Sequence, residues 1–159
     1  QDRKFRGYLK ENKSLGLRWT TSETNRSPML IQEDGNIVAT VSLEQPKIKI
    51  TPIVRGETVR FNYHVTLMGI VSEMLEDFRQ SELERLTEEQ AEAEIRDAYL
   101  DALKLKADPL QLEYALYRKD IRTWKRLREE GRLQLQPDSV EIEVNVRFQN
   151  AGKLKIWKK

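Results

Sequence analysis

From Thr58 to Leu67 the chain alternates strictly. Val59, Phe61, Tyr63, Val65 and Leu67 are apolar, and Arg60, Asn62, His64 and Thr66 stand between them. A period of two sends successive side chains to opposite faces, which predicts a half-buried antiparallel strand. Ser139–Phe148 repeats the pattern, with Val140, Ile142, Val144, Val146 and Phe148 on one face and Glu141, Glu143, Asn145 and Arg147 on the other. It reads as a second antiparallel strand. Met29–Leu43 holds two apolar runs around Asp34-Gly35, a dipeptide suited to the positive φ angles of a tight hairpin. Pro46 and Pro52 flank Lys47–Ile50 and put that portion at a sheet edge or a bulge, because proline has no N–H to donate. Arg55-Gly56-Glu57 is the next turn, and the loop formers of Thr20–Pro28 predict an exposed connection.

After Met68 the period changes. Thr87-Glu88-Glu89-Gln90 has the form of a capping box and predicts a helix running from Thr87 to about Lys106. Ala91, Ile95, Ala98, Ala102 and Leu105 form its apolar stripe, leaving Glu88, Glu92, Glu94 and Asp101 to face water. Asp108-Pro109 is a helix start, with Asp108 as N-cap and Leu112, Ala115 and Leu116 inward. Asp120 starts a second short helix that points Ile121, Trp124 and Leu127 inward and ends at Gly131. Leu9–Trp19 is compatible with one short helix. The order of elements predicts an α+β fold, an antiparallel sheet packed on one face by a long helix and shorter helices. With no linker or repeat, residues 1–159 read as a single domain, long enough to bury roughly 70% of its unfolded surface.

Charge narrows the function. There are 28 Lys and Arg against 26 Asp and Glu, a net charge of +2, so any basic surface is local. Residues 87–108 hold seven acids and three bases, whereas residues 118–132 hold seven bases and three acids, so the sign reverses between successive helices. Arg122, Lys125 and Arg126 lie in the basic stretch and are candidate interaction residues. A helix that reads DNA projects a polar face, but here the apolar spacing turns Trp124 inward, and nucleic acid is not an expected partner. With no Cys, thiolate chemistry is excluded, a single His argues against zinc or Ser-His chemistry, and Glu88, Glu89, Glu92 and Glu94 come with no His or calcium-loop motif. No catalytic residue, metal or cofactor is expected, and the chain reads as a non-enzyme working through protein surface. No run of 18 apolar residues occurs, and the start QDRKFRGYLKENK lacks an apolar core of the signal-peptide kind. The C-terminal KLKIWKK, which sets Trp157 among lysines, reads as a solubilising tail.

The segment KFRGYLKENKSLGLRW, with Gly7, Gly16 and Trp19, is followed by a long acidic helix, the Ala107-Asp108 pair, Trp124 in the next helix and a final alternating strand near Gly152. Taken in that order, these features resemble the C-terminal domain of the spore germinant-receptor C-subunit lipoproteins, the Ger(x)C family. The resemblance spans nearly the whole chain. It implies a non-enzymatic subunit of a longer protein, lipid-anchored through an N-terminal cysteine absent from this chain, on the outer face of the spore inner membrane. Its implied partners are the membrane-embedded receptor subunits. Gly7, Gly16, Asp108 and Trp124 are then expected to be structural residues.

Overall fold

A computed structural model describes residues 15–149. Four strands, β1 (Arg26–Glu33), β2 (Asn36–Arg55), β3 (Thr58–Met74) and β4 (Val140–Phe148), form one sheet in the order β1-β2-β3-β4. Three helices, α1 (Gln80–Leu103), α2 (Leu112–Lys119) and α3 (Ile121–Glu129), lie between β3 and β4 in sequence. The fold is α+β. Asp34 and Gly35 take φ of 52° and 81° in the β1–β2 turn, and Gly56, at φ 60°, makes the β2–β3 turn. Both prolines of β2 have a structural reason. Pro46 is at a register shift beside Gln45, whose φ is 55°, and Pro52 is in the half of β2 that β1, starting at Arg26 opposite Glu44, never reaches.

β3 behaves as its alternation predicts: Phe61, Tyr63, Val65 and Leu67 are buried and Arg60 is exposed. Three sequence expectations need correction. The sheet is mixed, because β4 runs parallel to β3, from Phe61 opposite Val140 to Gly69 opposite Phe148. Alternation marks a half-buried strand but carries no sign of direction. β3 does not stop at Met68 but continues to Met74, where β2 still pairs with it. Gly69 breaks the apolar face there because Phe148 occupies the space, and a Cβ at Gly69 would meet the Phe148 ring at 2.7 Å.

The third correction is α1, which starts at Gln80 rather than Thr87. Its N-cap, Arg79, makes no side-chain cap bond, so no local signal marked it, and Thr87 is a buried mid-helix residue donating its hydroxyl to the Leu83 carbonyl at 2.7 Å. The helix ends with Lys106 in the left-handed region, φ 55°, while the Lys106 and Ala107 amides donate back to Leu103 and Ala102 at 2.9 and 3.0 Å. That is the Schellman pattern with Lys where Gly is commonest, so the sequence read as helix one turn too far.

Glu88 and Glu92, expected in water, hold α1 to the sheet together with Glu84. Glu84, Glu88 and Glu92 accept the backbone N–H groups of Phe148, Val146 and Val144 at 3.0, 2.9 and 2.9 Å. Gln80, one step earlier, donates to the Phe148 carbonyl at 3.2 Å. Four helical residues advance about 6.0 Å and two strand residues about 6.6 Å, so the two series stay matched for several rungs. On the far edge of the sheet, Gln90 accepts from the Gln32 amide at 3.1 Å and donates to the Leu30 carbonyl at 2.6 Å. Both outer strands therefore reach the same helix, and the sheet curls around the buried face that α1 covers with Leu83, Ala91, Ile95 and Tyr99.

Glu94 faces a third neighbour, the 3-10 turn Leu15–Trp19, accepting from the indole of fully buried Trp19 at 3.0 Å and pairing with Arg18 at 3.3 Å. Gly16 is the closest point of this crossing: a Cβ there would fall within contact distance of the Glu94 carbonyl and 2.7 Å from the Ile95 nitrogen. Gly7 and the tail around Trp157 lie outside the described residues.

Two outcomes test this arrangement. Phe61→Ala should cost about 3 to 5 kcal/mol through cavity formation, and Arg60→Ala, whose partner Asp138 is exposed with it, less than about 1 kcal/mol. Equal midpoints in urea would mean that the register is wrong. Gly16→Ala should destabilise by more than the roughly 1 to 3 kcal/mol typical of overpacking, because the obstruction is helix backbone; a neutral substitution in the same assay would contradict the crossing.

Candidate functional site: the pocket and basic face of α2 and α3

Asp120 sets the geometry of the helix pair. Its N–H closes α2 on the Leu116 carbonyl at 2.8 Å, and its carboxylate caps α3, accepting from the Thr123 amide at 3.1 Å and the Thr123 hydroxyl at 2.6 Å. These Thr123 bonds hold the Asp120 carboxyl below the usual carboxylate range. With one residue ending one helix and starting the next, the turn cannot swing freely. Trp124 is thereby set edge-on against Tyr117, with ring centroids 4.9 Å apart and planes at 77°, and Tyr117 stacks with Tyr114 at 6.2 Å.

Asp108 caps α2 from further back than the sequence placed it. Gln111, at φ 58°, is the residue flanking the helix, and Asp108 reaches past it to accept the Leu112 and Glu113 amides, both at 3.0 Å. Burial pushes the Asp108 carboxyl up, against the pull of these amide bonds. Burial and then the Asp108 charge push Glu113 up as well, and burial with the same charge carries the Tyr99 phenol to about 12. Asp108, Gln111, Glu113, Tyr114, Tyr117 and Trp124 line a cavity of about 470 Å³. It brings two carboxyls that burial disfavours, Asp108 and Glu113, together with three aromatic rings. Arg118 lies 5.8 Å from the Tyr114 ring centre and Arg128 4.9 Å from that of Trp124.

The basic residues separate into two groups. Arg126 pairs with Glu57 at 2.5 Å and Arg132 with the other oxygen of Glu57 at 3.1 Å, fastening the end of α3 to the β2–β3 turn. Arg122 and Lys125 are exposed, as is Ile121, which the sequence reading had turned inward; Leu127 alone of that trio is buried and Trp124 is half-buried. His64, on the outer face of the sheet, is bonded to Asn145. Among the described residues no cluster of His, Asp and Glu could hold a metal ion, and no helix is long and apolar enough to cross a membrane.

A family model described as Spore germination B3/GerAC like, C-terminal, matches residues 1–152. The chain belongs to this family. Among solved structures, the GerBC protein aligns with a TM-score of 0.76 over 91% of this chain, at 19% identity. This chain spans 47% of the length of that one, and the likeness shows a shared fold. No curated protein matches.

In this GerAC-like chain the aromatic pocket was the feature that sequence reading missed. Tyr114 and Tyr117 are one helical turn apart and Trp124 is seven residues on, a spacing that signals a shared patch only once the Asp120 turn is known to fold α3 back on α2.

The pH dependence follows from the two raised carboxyls. A folded-state value above the unfolded one means that the folded chain keeps its proton longer, so this contribution to stability is present at low pH and falls as pH rises through the folded-state value. Glu113→Gln removes the Glu113 share. The unfolding free energy of the wild type minus that of the variant should therefore decrease between about pH 4 and pH 7. Denaturant titrations across that range check it, and a difference that grows with pH would contradict it. Asp108→Ala should cost about 0.5 to 2 kcal/mol at neutral pH, as loss of a cap does.

Proposed function

We propose that this chain is a non-enzymatic interaction module of a spore germinant-receptor subunit. It forms a single domain, the C-terminal part of a longer lipoprotein held by an N-terminal lipid anchor at the outer face of the spore inner membrane. There it contacts the membrane-embedded receptor subunits. Membership of the GerAC-like family supports the setting. The observation that carries the interaction role is the surface of α2 and α3, where the stacked Tyr114 and Tyr117 are 55% and 40% exposed and Ile121 44%, and where Arg118, Lys119, Arg122 and Lys125 on the same two helices are exposed. Large apolar side chains gathered at one exposed place on a charged surface mark a docking site more often than a solvated face. The surrounding cations steer and orient a partner of opposite charge.

The test uses the intact receptor in spores. Arg122→Glu with Lys125→Glu should slow germination roughly three-fold or more while leaving subunit level and unfolding midpoint unchanged. Arg126 stays untouched, because reversing it would also break the Glu57 pair. Wild-type germination of the double variant would contradict the reading.

A further inference from the structure

The α2–α3 pocket is lined by the rings of Tyr114, Tyr117 and Trp124 and by the carboxyl residues Asp108 and Glu113, and Arg118 and Arg128 stand over two of the rings. The half-buried Glu113 carboxylate makes neither a hydrogen bond nor an ion pair among the described residues. Asp108, beside it, has its oxygens turned to the Leu112 and Glu113 amides. Burial pushes both carboxyls up, and Arg128, the cation whose charge opposes this at Glu113, is committed to the face of Trp124 at 4.9 Å. A buried carboxylate without a full partner is stabilised by an incoming cation, and aromatic faces add roughly 0.5 to 2 kcal/mol when that cation is desolvated against them. Arg118 and Arg128 already stand over the Tyr114 and Trp124 rings in this way.

We propose that this pocket receives one lysine or arginine side chain of a partner polypeptide, its charge beside Glu113 and its methylenes against Tyr114, Tyr117 and Trp124. The neighbouring cations decide between a side chain and a free amine. Arg118 and Arg128, over the Tyr114 and Trp124 rings that line the pocket, put like charge beside it, which opposes a polybasic segment and adds nothing for a small amine. A basic residue flanked by acidic ones fits both these cations and the pocket carboxyls. The cavity of about 470 Å³ exceeds what a single alkyl chain fills, leaving room for an apolar neighbour of that residue. The inference rests on the docking reading above and specifies what docks.

Nuclear magnetic resonance on the 159-residue chain tests the chemistry, with the Trp124 indole N–H assigned through Trp124→Phe. The probes are n-butylammonium, n-butylguanidinium and uncharged n-butanol. Either cation should shift the Trp124 signal saturably with a Kd on the order of millimolar, n-butanol should not, and Glu113→Gln should weaken binding at least about five-fold while the unfolding midpoint stays near that of the wild type. An equal response to n-butanol, or unchanged affinity in Glu113→Gln, overturns the cation site. A second arm compares a ten-residue peptide carrying one central lysine, one leucine and flanking aspartates with the same peptide holding norleucine for lysine. The lysine peptide should bind at least about ten-fold tighter than n-butylammonium and than the norleucine version. Binding no tighter than the free amine would make this a small-molecule pocket and overturn the docking claim. In spores, normal germination of Glu113→Gln beside slow germination of the Arg122 and Lys125 double variant would sink this inference alone, whereas normal germination of both would sink the docking reading as well.

Discussion

An edge strand with buried side chains presents a problem of hydrogen bonding. Val144, Val146 and Phe148 of β4 turn their side chains into the core, and their N–H groups point away from β3, where no fifth strand arrives among the described residues. A buried N–H left without an acceptor costs about 1 to 3 kcal/mol, so three of them would consume much of a domain's stability. The chain supplies the acceptors from a helix. Glu84, Glu88 and Glu92 take the place of a strand, and their fourfold spacing matches the twofold spacing of β4 closely enough for three successive bonds.

Much else depends on that arrangement. It fixes the rotation of α1, and the other faces of the helix then meet fixed neighbours: Gln90 meets β1, Glu94 meets Trp19 and Arg18, and Ile95 and Tyr99 fill the core. It also blocks β4 against pairing with other chains, a role usually taken by exposed charge or a short edge. The C-terminal end of α1 is set by the same rotation, and from there Lys106 and Asp108 turn the chain so that α2 and α3 present their aromatic and basic side chains outward. The outer surface proposed to dock a partner is thus carried by a helix pair whose position follows from the glutamate ladder.

The sequence reading recovered what is local and lost what is not. Alternation located β3 and β4, and Asp34-Gly35 and Gly56 marked both hairpins, because each rests on a few consecutive residues. The direction of β4, the start of α1 and the duty of its glutamates depend on residues about 50 to 80 positions away in the chain. Glu88 looked like a solvated acid because its partner is a backbone amide, which no sequence pattern displays. Thr87-Gln90 imitates a capping box yet serves inside a helix, where Thr87 bonds its own preceding turn and Gln90 the opposite edge of the sheet. In the candidate site, the basic run was legible as a run, but only the fold separates Arg126, tied to Glu57, from exposed Arg122 and Lys125.

Native-state hydrogen exchange at the amides of β4 measures the ladder directly. In Glu88→Ala the Val146 amide should lose protection by roughly ten-fold or more beyond any global change, since about 1.4 kcal/mol corresponds to a factor of ten. Leu67, opposite it in β3, should follow the global change alone, and Glu88→Gln, which keeps an acceptor oxygen, should retain most of the protection. If Val146 and Leu67 lose protection equally in Glu88→Ala, or neither does, the carboxylates are not what holds the edge of the sheet.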